Sequence, residues 1–267
     1  MKKNSIISAF ILLGIISCQK MEKASPATEK VPAVDSTKLA VDSVSVSDSL
    51  KVNAKITGSF SAKVLVFPKL SDKSLLDSIY AVDKIQLEEY SKKNLEDAIK
   101  NKQKEYFASL KDDTKDLPVE FEQTWTQHSN EKVFSQQNGF LTVKYTGDGF
   151  SGGAHGYYYE YYKVFDLQNK KTLQLSDILV SPDSSVWKRA LWDQFIKNDT
   201  GKGQSDMLLV SEISPNSNFY FDQQNLYFLY NQYEIAAYAA GTVLIKIPIS
   251  DVKPMLKPEW KKRMKIN

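Results

Sequence analysis

The stretch Tyr157-Tyr158-Tyr159-Glu160-Tyr161-Tyr162-Lys163-Val164-Phe165-Asp166-Leu167 places five tyrosines in six positions and follows them with β-branched and aromatic residues. Such residues suit a pleated, half-buried surface, so the stretch predicts a long strand. Successive side chains on a strand point to opposite faces, so some of these tyrosines belong in the core and at least two reach solvent. Gln168-Asn169-Lys170 then turns the chain into Thr172 to Leu175. Working backwards, Leu141-Val143-Tyr145 alternates with Thr142-Lys144-Thr146, and Val119–His128 and Lys132–Gln136 read as two further strands. Close succession of strands joined by short turns points to an antiparallel sheet.

Further toward the N-terminus, Phe60, Ala62, Val64 and Val66 alternate with Ser59, Ser61 and Lys63, and Pro68 ends that strand. From Ser74, where Ser74-Leu75-Leu76-Asp77 has the form of a capping box, to about Leu110, apolar residues recur at helical spacing. The pattern weakens near Asp83. The Lys-rich opposite face is interleaved with Glu and Asp, as a solvated face would be. Toward the C-terminus, Ser176 and Asp177 are cap residues and Trp187 to Ile196 has helical spacing. Strands follow at Asn218–Phe221, Leu226–Tyr230 and Thr242–Ile247, then a short helix to Leu256. The expected class is α+β: an antiparallel sheet with a long N-terminal helix and a second helix inserted between strands. The break at Leu117-Pro118 suggests a smaller strand-helix module over 51–118 and an α+β domain over 119–256.

The chain has 267 residues, 42% hydrophobic and 25% charged, with a net charge of +3. These proportions exclude wholesale disorder and a polytopic membrane protein. One Cys excludes an internal disulfide framework and a multi-Cys zinc site, and two His leave little for a His-rich metal site. No cofactor is implied. Met1-Lys2-Lys3, an apolar run from Ile6 to Ile16 and small Ser17 form a signal-peptide pattern over 1–17. Ile15-Ile16-Ser17-Cys18 resembles the bacterial lipobox, which makes Cys18 the expected lipidation site. Its acyl chains would attach the chain to a membrane of the cell envelope, facing the periplasm or the cell surface.

Residues 18–50 carry no aromatic residue and read as a flexible tether. Within it, Asp35-Ser36-Thr37, Asp42-Ser43-Val44 and Asp48-Ser49-Leu50 are similar to an Asp-Ser/Thr-aliphatic acceptor pattern for O-glycosylation. Residues 51–252 hold 23 Lys and Arg against 26 Asp and Glu, whereas after Lys253 the residues Lys257, Lys261, Lys262, Arg263 and Lys265 make 257–267 a basic tail. A solvated end is the simplest expectation for it, contact with anionic lipid or wall polymer the sharper one. A near-neutral body outside the cytoplasm disfavours nucleic-acid binding.

Gly152-Gly153-Ala154-His155-Gly156 lacks the context of a phosphate loop and is weak alone. In order with Phe165-Asp166-Leu167, Leu173 to Leu179, Tyr233-Glu234-Ile235-Ala236-Ala237-Tyr238-Ala239-Ala240-Gly241 and Ile247-Pro248-Ile249, it resembles the extracellular domain shared by RsiV-type anti-sigma factors and PdaC-type peptidoglycan deacetylases. The former act as lysozyme receptors; in the latter the domain lies outside the catalytic one. Ala237 stands where the family usually has Pro, and Asn169-Lys170 replaces its usual Thr-Gly. The paired His and Asp of a deacetylase centre and a Gly-x-Ser-x-Gly element are both missing.

The resemblance therefore implies a non-catalytic envelope module that binds a cell-wall glycan or a wall-acting protein such as lysozyme. The alternatives are an envelope hydrolase or deacetylase using His155 with a carboxylate such as Glu234, and a structural spacer. The candidate binding residues are Gly152, Gly153, His155, Tyr158, Tyr233, Glu234 and Tyr238. His155 either acts as a base or simply fixes its glycine turn. Small residues in both segments allow close backbone approach, so the Gly152–Gly156 turn is expected to lie beside Tyr233–Gly241.

Overall fold

The structure is a computed structural model and describes residues 38–266. Cys18, the signal-peptide pattern and Asp35-Ser36-Thr37 lie outside the described residues. Among those described, the chain is a mixed α/β fold with nine strands and six helices, the larger sheet mostly antiparallel.

That sheet has six strands in sequence order: β1 (Asp42–Lys51), β2 (Ile56–Val66), β3 (Gln123–Gln137), β4 (Phe140–Phe150), β5 (Tyr157–Asp166) and the short β6 (Lys171–Thr172). Every pair is antiparallel except β2–β3, which is parallel from Ile56↔Gln123 to Lys63↔Asn130. A parallel neighbour needs a crossover, and two helices provide it: α1 (Lys73–Tyr80) and α2 (Lys92–Asp113). The single helix expected from Ser74 is thus two. Lys84, at φ 53°, takes a left-handed turn that the intervening chain needs, and the Ile85 amide closes back on the Tyr80 carbonyl at 3.1 Å. The caps also differ from the expected box, because Asp72 accepts from the Leu75 amide and Ser91 from the Asn94 amide.

Three other boundaries move. The tether ends before residue 42, since Asp42–Lys51 is the edge strand of the sheet; Val44 is buried and Ser43 pairs with Leu65. Two of the glycosylation tripeptides, at Asp42 and Asp48, therefore sit on a strand. No aromatic residue marks β1 because only one of its faces meets a core. The division at residue 118 also fails: β2 and β3 pair across it, and the described residues form one compact unit. The two strands expected over 119–136 are one, kinked by a bulge between Val133 and Ser135.

Buried side chains alternate between the faces of the six-stranded sheet. Leu141, Val143, Tyr145 and Phe165 join Leu75, Ile79, Leu95 and Ile99 of α1 and α2 on one side. Phe140, Tyr162 and Val164 point the other way, into a second core with β7 (Phe219–Phe221), β8 (Asn225–Tyr230) and β9 (Val243–Pro248), a separate antiparallel sheet. The helix expected over Trp187–Ile196 is present; with α3 (Leu175–Ile178) before it, α4 (Ser185–Asn198) contributes Trp187, Leu191 and Phe195 to the same core. After α5 (Ile249–Val252) comes α6 (Pro258–Met264), which corrects the solvated basic tail. Trp260 and Met264 are buried, the Trp260 ring meets Phe221 edge-on at 5.1 Å, and Arg263 Nη1 pairs with Asp166 at 2.5 Å. One face of a charged heptad is apolar, and that face faces inward.

Candidate functional site

Trp125 fixes where the glycine turn begins. Gly152 has φ +84°, and a Cβ there would come within 2.8 Å of the Trp125 ring, so only glycine fits. The glycines also make room for tyrosine rings on the next strand. Gly147 pairs with Tyr159 across the ladder, and a Cβ on it would overlap the Tyr159 ring. Much of the glycine signal is thus explained by bending and by aromatic packing across β4 and β5. Burial rises along β5 rather than alternating across it: Tyr157 and Tyr158 at its start reach solvent, Tyr159 and Tyr161 are half-buried, and Tyr162 is buried.

His155 and Tyr238 adjoin. Their rings stack at 4.0 Å between centroids and 27°, and Tyr238 Oη donates to the Gly156 carbonyl at 3.1 Å. The same carbonyl lies 2.9 Å from His155 Nδ1, so Nδ1–H donates there. His155 accordingly fixes its own turn, although its ring remains exposed. Tyr233 stands 5.9 Å from the Tyr238 ring and is 59% exposed. Its φ of 66° is uncommon for an aromatic residue; the conformation is held by its own amide donating to the Ala236 carbonyl at 3.0 Å. Tyr238 rests on a one-turn helix, Tyr238–Ala240, whose Ala240 carbonyl accepts from Gln204 Nε2 at 2.8 Å.

A polar chain connects the remaining candidates. Tyr158 Oη donates to Glu160 Oε2 at 2.7 Å, the Glu160 amide to Asn231 Oδ1 at 2.8 Å, and the Asn231 amide to Glu234 Oε2 at 3.0 Å. Glu234 is therefore a turn-fixing carboxylate as well as an exposed one. Glu160 is the residue that sequence reasoning passed over. Burial would raise its carboxyl, but hydrogen bonds from Lys144, Tyr162 and Tyr158 outweigh that and hold it below the ordinary carboxylate range. Its backbone carbonyl also accepts from Asn218 and Asn231, which ties β5 to the second sheet. The available signal was that Glu160 is the single charge among the tyrosines. All seven candidates thus fall within two adjoining segments. Among the described residues, no three His, Cys, Asp or Glu side chains converge as metal ligands, and no helix is long and apolar enough to cross a membrane.

Residues 169–250 match the model of the DUF3298 family, described as a protein of unknown function; this is the domain shared by RsiV and PdaC. The match contains Tyr233, Glu234 and Tyr238 and begins after the Gly152–Gly156 turn. The fold is that of a solved DUF3298 member from Bacteroides fragilis NCTC 9343, with 24% identity and a TM-score of 0.72 over 86% of this chain and 98% of that one. A DUF3298 protein from Pseudomonas aeruginosa PAO1 is similar at 18% identity and a TM-score of 0.57, over 83% of this chain and 95% of the other. No curated protein matches the chain.

Proposed function

We propose that the chain is a non-catalytic recognition module of the cell envelope, and that His155, Tyr233 and Tyr238 form its contact surface for a cell-wall glycan or a wall-acting protein such as lysozyme. The observation that carries this reading is the exposed, strained Tyr233 beside the pinned Tyr238–His155 stack. Rigid aromatic rings lose little conformational entropy on binding, and their hydroxyls add direction. Anchoring through a lipidated Cys18 belongs to the same proposal and is supported by the lipobox-like tetrad. The domain shared with lysozyme receptors supports the protein ligand; the aromatic faces support either ligand.

Calorimetry of the purified protein against lysozyme and against soluble muropeptides tests the binding. One of them is expected to bind, and Tyr233→Ala to weaken it at least tenfold without loss of folding, as for an interface anchor. Heat with neither ligand, from demonstrably folded protein, overturns the reading. Release of acetate or reducing ends from peptidoglycan that His155→Ala abolishes would favour the hydrolase instead. Intact mass of the envelope-extracted protein, with and without Cys18→Ala, tests the anchor.

A further inference from the structure

On the helix-covered face of the six-stranded sheet, Glu131 is 1% exposed. It sits one residue beyond Lys63↔Asn130, where the parallel ladder ends, and its Oε2 accepts from the Leu65 amide at 2.7 Å. The carboxylate thus replaces the strand partner that Leu65 would otherwise lack on this side. Asp83 reaches the same place from the connection between α1 and α2, turned inward by the left-handed residue Lys84, and the two carboxyl groups are in hydrogen-bonding contact.

Each group has one oxygen, Asp83 Oδ2 and Glu131 Oε1, that is fully buried and has no donor. Surrounding groups do not supply one. Tyr80 Oη on α1 donates to the Leu65 carbonyl, and Tyr145 Oη on β4 donates to the Ile79 carbonyl, each at 2.8 Å. Lys102 on α2 and Tyr159 on β5 interact with Asp83 only through space, and neither donates to its orphaned oxygen. Two bare carboxylates in contact and out of water would repel strongly, and each would be a buried acceptor left unsatisfied. A carboxyl that keeps its proton is a donor, and one proton satisfies both groups.

We infer that Asp83 and Glu131 hold a single proton between them, and that this proton latches the α1–α2 connection onto β3. Deprotonation leaves two adjacent charges, and the exposed turn yields before the strand does. Opening would uncover Ile85, which is buried behind the turn.

The pH dependence follows from the direction of the shifts. Burial, then the Asp83 hydrogen bond and charge, push the Glu131 carboxyl well up; burial also pushes Asp83 up, against the Glu131 hydrogen bond and Lys102. For a group raised on folding, the stabilisation is complete below the ordinary carboxylate range of about 4 and is lost as pH rises through the folded value. Within that window the native state binds up to one more proton than the unfolded chain, so the folding constant falls up to tenfold per pH unit.

Infrared spectroscopy of the intact protein at neutral pH is expected to show a protonated-carboxyl stretch that Asp83→Asn removes, since the Asn amide donates to an ionised Glu131. Urea denaturation from about pH 5 to 8 should show the wild-type slope exceeding that of Asp83→Asn by up to one proton. Amide exchange over residues 81–91 should accelerate with pH beyond its intrinsic rate in the wild type alone. Absence of the carboxyl band from the wild type overturns the inference even if Asp83→Asn fails to fold. Equal pH slopes in the two proteins overturn it as well.

Discussion

Arg263 shows how one side chain converts a charged C-terminal segment into part of the core. Its guanidinium lies 3.7 Å from the Phe140 ring centre, pairs with Asp166, and donates to the Asn138 and Gly139 carbonyls at 3.0 Å each. Asp166 is almost wholly buried and also anchors the Gln168-Asn169 turn through backbone amides at 3.0 Å. Arg263→Ala leaves that carboxylate without its cation and is expected to cost about 3 kcal/mol. Burial would raise the Asp166 carboxyl, but the Arg263 and Asn169 hydrogen bonds outweigh it and hold the group low. A lowered acid stabilises above its unfolded value, about 4, and loses that contribution as pH falls through the folded one. Urea denaturation at pH 7 and pH 3 should therefore show the variant's deficit shrinking in acid. A deficit that is constant with pH would mean that Arg263 acts by packing alone. Lys170, in the same turn, is left-handed at φ 52° where the resembling family has glycine, which makes the departure a backbone strain as well as a change of side chain.

Among the elements, β1 departs furthest from its sequence. Asp42-Ser43-Val44-Ser45-Val46-Ser47 has the polarity of a linker, yet ten residues pair in unbroken register with β2. Lys92 at the start of α2 reaches Asp42 at 2.6 Å, an exposed pair that contributes little stability. The ladder and Val44 hold the strand. A chain beginning at residue 52 would leave β2 as a long, apolar edge, so it should melt several degrees lower and associate on warming. Differential scanning calorimetry with light scattering checks both; a truncated protein as stable and monomeric as the longer one would return 42–51 to the tether. The β2–β3 pairing was hidden for a related reason. Its partners are separated by two helices, and nothing local to either strand specifies a parallel neighbour.

At the scale of the whole molecule, β4 and β5 carry both cores. Phe140 and Leu141 are consecutive yet belong to opposite clusters, as do Val164 and Phe165. Losing either core exposes half the side chains of the central strands, so the two should unfold together. Tryptophan fluorescence, to which Trp187, Trp192 and Trp260 contribute from one core and Trp125 from a separate small cluster, and far-ultraviolet circular dichroism should trace one coincident transition in urea. Two separated transitions would restore the division at residue 118. The candidate contact surface follows from the same architecture: the turn that enters β5 brings His155 to the connection between β8 and β9, and Asn218 and Asn231 bolt the sheets together at Glu160.

What the sequence determined by itself was periodicity and local chemistry. The aromatic strand with its turn, the strand at Ile56–Val66, the helix around Trp187 and the C-terminal strands were legible because period two or 3.6 records which face is buried. The proximity of His155 to Tyr238 was legible because two segments of small residues permit close backbones. Tertiary structure alone decided the rest, through contacts between residues far apart in the chain. Only the fold shows that β1 has a partner, that Glu160 joins two sheets, that Arg263 has a buried carboxylate to meet, and that Asp83 and Glu131 meet across 48 residues. Each of these depends on a polar or weakly apolar residue whose meaning is set by its partner, and a partner in space leaves no periodic trace in sequence.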